Sequence, residues 1–95
     1  MKKKPNPIPI ADDLCEECGK AFAATHEVYF GNPDAALSQI WGMTRRLCYT
    51  HHQDHQTGVH HVREFDLRLK KEYQIRFEEL HGHEKFMEVF KRNYL

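Results

Sequence analysis

The sequence predicts a small α+β domain with two helices at its C-terminal end. Three observations predict it. The 95 residues, 40% of them hydrophobic, allow one domain with a thin core. A chain of that size buries little more than ~60% of its unfolded surface and commonly needs a staple. The three cysteines are an odd set, and no signal-like apolar stretch follows the N-terminal lysines. The chain is therefore expected in the cytoplasm, with its cysteines on a metal ion rather than in a disulfide framework. Strand signals occupy the first half, and helical stripes occupy the second.

The elements follow in order. Residues 1–10, MKKKPNPIPI, alternate proline after three lysines, which forbids a helix and reads as a basic, extended arm. Its ordinary role is a solubilising tail, and its sharper one is a phosphate contact. Residues 11–95 form one domain, with a metal core over 15–61 and a helical extension over 62–95. Cys15-Glu-Glu-Cys18-Gly19 reads as a knuckle. Thr25–Phe30 is rich in β-branched and aromatic residues and reads as a strand stopped by Gly31-Asn32-Pro33. A short helix over 33–41 has Asn32 as N-cap, Pro33 at its first position and Gly42 after it. Leu37, Ile40 and Trp41 share its apolar face.

Residues 43–47 read as a second strand, and residues 48–57 as a helical turn or short helix broken by Gly58. The longest helix covers 62–81. Phe65, Leu69, Tyr73, Phe77 and Leu80 recur at helical spacing on one stripe, and Gly82 ends it. A last helix over 83–92 sets Phe86, Val89 and Phe90 on one face, and Tyr94 continues it. No run approaches the ~18 apolar residues of a membrane span.

Cys15-x-x-Cys18 is followed 30 residues later by Cys48-x-x-His51. Each pair can present two ligand atoms to one ion, the first from a tight turn and the second from a first helical turn. Three thiolates and one imidazole make a closed tetrahedral shell suited to structural zinc, and soft sulfur excludes calcium and magnesium. His52 or His55 are alternatives to His51 as the fourth ligand. A redox Cys-x-x-Cys is the competing reading, but no thioredoxin-like βαβ pattern surrounds it.

The order of knuckle, strands and a second pair opening a helix resembles a treble-clef zinc finger over residues 15–61. His26 in the first strand, then Leu47-Cys48-Tyr49-Thr50-His51-His52, then Gly58-Val59-His60-His61, resembles the HNH endonuclease family, whose core is a ββα-metal finger, and small HNH-like proteins of phages and prophages. The resemblance implies a metal-dependent DNA endonuclease or nickase. It implies His26 as general base and His52 at a catalytic divalent metal (Mg, Mn, Ni or Zn), with His60 or His61 adding a ligand. The chain departs from the family at Thr25, where an acidic ligand is common, and at Met43 and Thr44, where an asparagine is expected.

Fourteen Lys+Arg balance fourteen Asp+Glu, which excludes a polycation that holds nucleic acid by bulk charge. A local face built from Arg45, Arg46, Lys70 and Lys71 is the expected DNA contact, without strong sequence preference. Acidic residues interleaved on the long helix make a solvated mixed-charge face the plainer reading there. His81 and His83 read as solvated residues at a helix end. The alternative function is an inactive zinc module that binds nucleic acid or a protein, and homodimerisation through the helical tail is a third reading.

Overall fold

The computed structural model describes residues 6–7, 14–21 and 24–95, so the expected arm over 1–10 lies outside the described residues apart from Asn6 and Pro7. The order of elements is β1 (Ala24–Glu27), α1 (Asp34–Ile40), β2 (Thr44–Leu47), α2 (Tyr49–His52), α3 (Arg63–His81) and α4 (His83–Phe90). The architecture is α+β, as the patterning predicts. β1 and β2 form a two-stranded antiparallel sheet, with His26 opposite Arg45 and Ala24 opposite Leu47.

β1 is shorter than the strand predicted over 25–30, and the cause is Ser38. Val28 still donates to the Met43 carbonyl at 3.0 Å. At Tyr29 the backbone turns to α1 instead: its N–H donates to Ser38 Oγ at 3.1 Å, and the Ser38 hydroxyl donates to the Tyr29 carbonyl at 2.7 Å. One buried side chain thus takes over the pairing a longer β2 would supply.

The start of α1 differs from expectation. Pro33 stands at the N-cap and no side chain caps the helix. The Ala35 N–H donates to the Gly31 carbonyl at 2.8 Å instead. The end agrees with expectation and has a clear cause. Met43 donates to the Ser38 carbonyl and Gly42 to the Gln39 carbonyl, with Gly42 at φ 71°. This is the Schellman pattern, which favours glycine at that position.

α2 is one turn, the shorter of the two forms expected over 48–57. Asp54 Oδ1 accepts from the Gln56 and Thr57 backbone N–H groups at 2.8 and 3.2 Å. That side chain offers the backbone a turn in place of further helix.

α3 reaches β2 through Tyr73 and the end of α1 through Phe77 against Trp41, and α4 folds back over it after Gly82. Leu69, Tyr73 and Phe77 are buried, with Phe65 partly buried beside them. Leu80, read as part of this stripe, is instead 63% exposed. At that turn the ring of His81, itself exposed, lies 4.7 Å from Phe77 and 5.2 Å from Trp41 and edges the core instead. Phe86 and Phe90 close the core against Tyr29, at ring separations of 5.5 and 4.5 Å.

Two buried polar groups tie the helices to the rest. The Tyr29 hydroxyl donates to the Lys70 carbonyl at 2.6 Å, and the Tyr73 hydroxyl to the Thr44 carbonyl at 2.8 Å. Among the described residues, no helix is long and apolar enough to cross a membrane.

Candidate metal centres

The first centre is assembled by two local turns. After Cys15 the chain reverses: Gly19 donates to the Cys15 carbonyl at 2.8 Å, and Leu14 bridges Ala21. Gly19 has φ 77°, a conformation that costs glycine little. Cys48 stands at the N-cap of α2 with extended backbone, so His51 lies one turn on and beside it.

The ligand atoms of Cys15, Cys18, Cys48 and His51 all lie within 4.8 Å of one another. Cys18 Sγ is 3.7 Å from Cys48 Sγ, and His51 Nδ1 is 3.2 Å from Cys48 Sγ and 3.7 Å from Cys15 Sγ. A disulfide needs sulfurs ~2.05 Å apart. A tetrahedral ion with metal–sulfur bonds of ~2.3 Å sets its sulfurs ~3.8 Å apart. The spacing therefore fits a shared ion and not a covalent link. This Cys3His group can hold a structural metal such as zinc.

The second group is formed by His26 on β1, His52 at the end of α2 and His60 in the turn that follows. His51 and His52 are consecutive on one helical turn, which sends one imidazole to the sulfurs and the other to His26. His52 Nε2 and His60 Nε2 are 3.0 Å apart. The His26 ring lies 5.2 Å from the His52 ring and 4.8 Å from the His60 ring. One nitrogen from each lies within 4.8 Å of the others, and the three together can hold a metal ion. His26 is 1% exposed, yet its Nε2 is buried without a hydrogen-bond partner. A polar atom left so is costly unless something else satisfies it.

Burial, reinforced by His60, His52 and Lys70 nearby, pushes the His26 pKa down to about 3. Burial also lowers the pKa of His52 and of His60. All three imidazoles are thus neutral near pH 7, the form in which histidine binds a metal or accepts a proton.

The trio borders a cleft of about 190 Å³ completed by Thr25, Glu27 and Phe30. Strand alternation places Glu27 on the other face from His26, yet its residue borders the cleft and its charge raises the pKa of both His52 and His60. Phe30 caps the cleft, 5.0 Å from the His60 ring. Glu27 is the acidic residue that could stand in for the one missing at Thr25, whereas Phe30 carries no sequence signal for this role.

His61 does not join the group. It stacks on His55, rings 4.5 Å apart and 10° from parallel. That pairing takes His55 as well away from the sulfur ligands. His83 meets Glu78 at 2.7 Å at the start of α4.

Of the four basic residues expected to face DNA, Arg45 and Lys70 are engaged by acidic side chains. Arg45 is 9% exposed, and its guanidinium lies against Glu17 Oε2 and 3.6 Å from Glu16 Oε2. The Arg46 backbone N–H donates to Glu16 Oε2 at 3.2 Å. Lys70 pairs with Asp66 at 2.9 Å and stands 4.1 Å over the Phe30 ring, beside the cleft. Lys71 is exposed on α3, about 100° round the helix from Lys70. Compared with family models, with curated proteins and with solved structures, the chain finds no match.

Proposed function

We propose that the chain is a zinc-stapled, metal-dependent DNA endonuclease or nickase of the HNH-like kind, built on a treble-clef ββα-metal core. The observation that carries this reading is the meeting of His26, His52 and His60 around the unpartnered His26 Nε2. A strand, a helical turn and the loop after it deliver them beside the Cys3His group, in the order in which the family resemblance assigns their roles.

Cys15, Cys18, Cys48 and His51 hold the structural zinc. His52 and His60 would hold the catalytic divalent cation, Mg, Mn, Ni or Zn. When bound, that ion supplies positive charge for the phosphoryl oxygens and the leaving oxygen. His26 accepts the proton of the attacking water at Nε2. Its lowered pKa makes it a weak base in the empty cleft, and the negative charge of a phosphodiester raises it toward the working range. Phe30 excludes water from one side of the cleft. Lys70, over Phe30, places a positive charge where a neighbouring phosphate passes.

A second reading is a zinc module that binds nucleic acid or a protein without cutting. The burial of His26 favours it, because a base 1% exposed needs the cleft to open for substrate.

The test is plasmid cleavage with magnesium, manganese or nickel, for wild type and His26→Ala, with zinc content and circular dichroism as folding controls. The wild type should nick or linearise the plasmid. The variant should lose at least ~100-fold in rate, the scale of general-base catalysis, and keep its zinc. Absence of cleavage with every metal, together with retained DNA retardation, moves the assignment to the binding module.

A further inference from the structure

The outer face of α3 carries a charge order that complements itself when reversed. Glu64, Arg68, Glu72 and Arg76 follow at four-residue steps, so they form one row along the helix. Read from the far end, the row is Arg, Glu, Arg, Glu, the opposite charge at every position. The next row sets Leu67 and Ile75 on either side of Lys71, and Ile75 is 49% exposed. A surface depression of about 750 Å³ follows this face from Glu64 to Arg76.

A solvated helix can alternate charges for pairs within its own chain, and here Arg68 lies 2.6 Å from Glu17 and 3.6 Å from Glu72, and Arg76 lies 3.2 Å from Glu79. Such a face has no use for Ile75 and Leu67 beside the charged row. The inner face of α3 already supplies the core through Leu69, Tyr73 and Phe77.

We propose that this face pairs with the same face of a second copy of the chain, the two α3 helices running antiparallel about a two-fold axis between Lys70 and Lys71. In that register Glu64 of one copy lies opposite Arg76 of the other, Arg68 opposite Glu72, and Leu67 opposite Ile75. Symmetry makes each pairing twice. All three fit the axis to within one residue of rise, ~1.5 Å. A parallel arrangement sets like charge against like along the whole row. Sliding the antiparallel pair by one helical turn does the same. The charges therefore choose both direction and register. A different protein would not need a row that complements its own reverse, whereas a two-fold contact does. Lys71 falls beside the axis, where its stem covers apolar surface and its ammonium turns to water.

The test is sedimentation of the full zinc-loaded chain, using the outermost pair. Glu64 and Arg76 are exposed, so both variants should keep the wild-type circular dichroism. The wild type should dimerise reversibly, more weakly at high salt. Arg76→Glu alone and Glu64→Arg alone should each weaken dimerisation about tenfold or more, since two attractive contacts become two repulsive ones. An equimolar mixture of the two variants should restore it, because each repulsive contact is then replaced by an attractive one. A wild-type monomer, whatever else covers the face, overturns the proposal. So do variants that dimerise like wild type, or a mixture that stays monomeric.

Discussion

Gly58→Ala should uncouple the two metal groups. Gly58 is buried in the turn after α2, and its N–H donates to the Asp54 carbonyl at 2.8 Å. A Cβ added there would stand 2.7 Å from both Asp54 N and Asp54 O, and 2.8 Å from the His52 carbonyl carbon. All three are backbone atoms, which cannot swing aside as a side-chain tip can. Ordinary non-bonded contact needs ~3.5 Å, so the turn must move by ~0.8 Å. His60 is two residues along, and its Nε2 is held 3.0 Å from His52 Nε2. Metal sites tolerate distance errors of only ~0.2 Å. The expected cost is ~1–3 kcal/mol of stability, as for overpacking elsewhere. Nickel affinity at the histidine group should fall ~10–100-fold, the scale of a disturbed supporting shell, while zinc stays at the wild-type content. Calorimetric nickel titration and thermal unfolding read both. Gly31→Ala is the control: its φ is +89° but nothing lies within 4 Å of the added Cβ. It should cost ~1–2 kcal/mol of backbone strain and leave nickel binding unchanged. A Gly58→Ala protein that binds nickel as the wild type does refutes the reasoning.

Phe77→Ala should cost ~3–5 kcal/mol in urea unfolding and Leu80→Ala less than ~0.5, because only Phe77 lies in the core; comparable costs would show the burial of α3 to be misassigned. Arg45→Ala should cost ~2 kcal/mol, less than for a fully buried pair because Arg68 remains 2.6 Å from Glu17; a neutral result in thermal unfolding contradicts this. Acid should weaken the fold through His26, whose folded pKa of about 3 lies below its ordinary 6.5. The unfolded chain then binds more protons across that window, so stability present above pH ~6.5 is lost on acidification, by up to ~1.4 kcal/mol per pH unit for this group. His26→Gln should flatten the slope of urea-unfolding stability between pH ~7 and ~5, and an unchanged slope counts against it.

What the sequence reveals follows the range of the interactions involved. The Cys3His group is legible because its two halves are local: each pair lies within one turn, and the chemistry of sulfur selects the ion. The Gly42 and Gly82 helix ends are legible for the same reason. His60 and His61 cannot be told apart in the sequence, because residues 53–61 have no period to set their phase. That phase comes from the Asp54 side-chain turn and the close approach of Gly58 to Asp54. Leu80 looks like the next member of the α3 stripe, yet it is exposed, and the ring that reaches Trp41, some forty residues earlier, is that of His81. The length of β1 depends on Ser38, and the fate of Arg45 on Glu17. Both are tertiary decisions that no window along the chain contains. The treble-clef and HNH readings rest on order and spacing together with the meeting of three histidines, and plasmid cleavage is their arbiter.

Gln74 has a consequence for how the molecule is made. Its side chain is fully buried, and its amide reaches Asn93 Oδ1 at 2.7 Å while its Oε1 accepts the Tyr94 backbone N–H at 2.8 Å. Those partners leave the ribosome some twenty residues after Gln74 does, and α4, which covers Tyr29 and Phe77, leaves with them. The four sulfur and imidazole ligands between Cys15 and His51 emerge much earlier. During vectorial synthesis, at ~5–20 residues per second, the nascent chain can therefore capture an ion before it can seal its interior. The Cys3His cluster is complete first, and the aromatic layer is the last part to set.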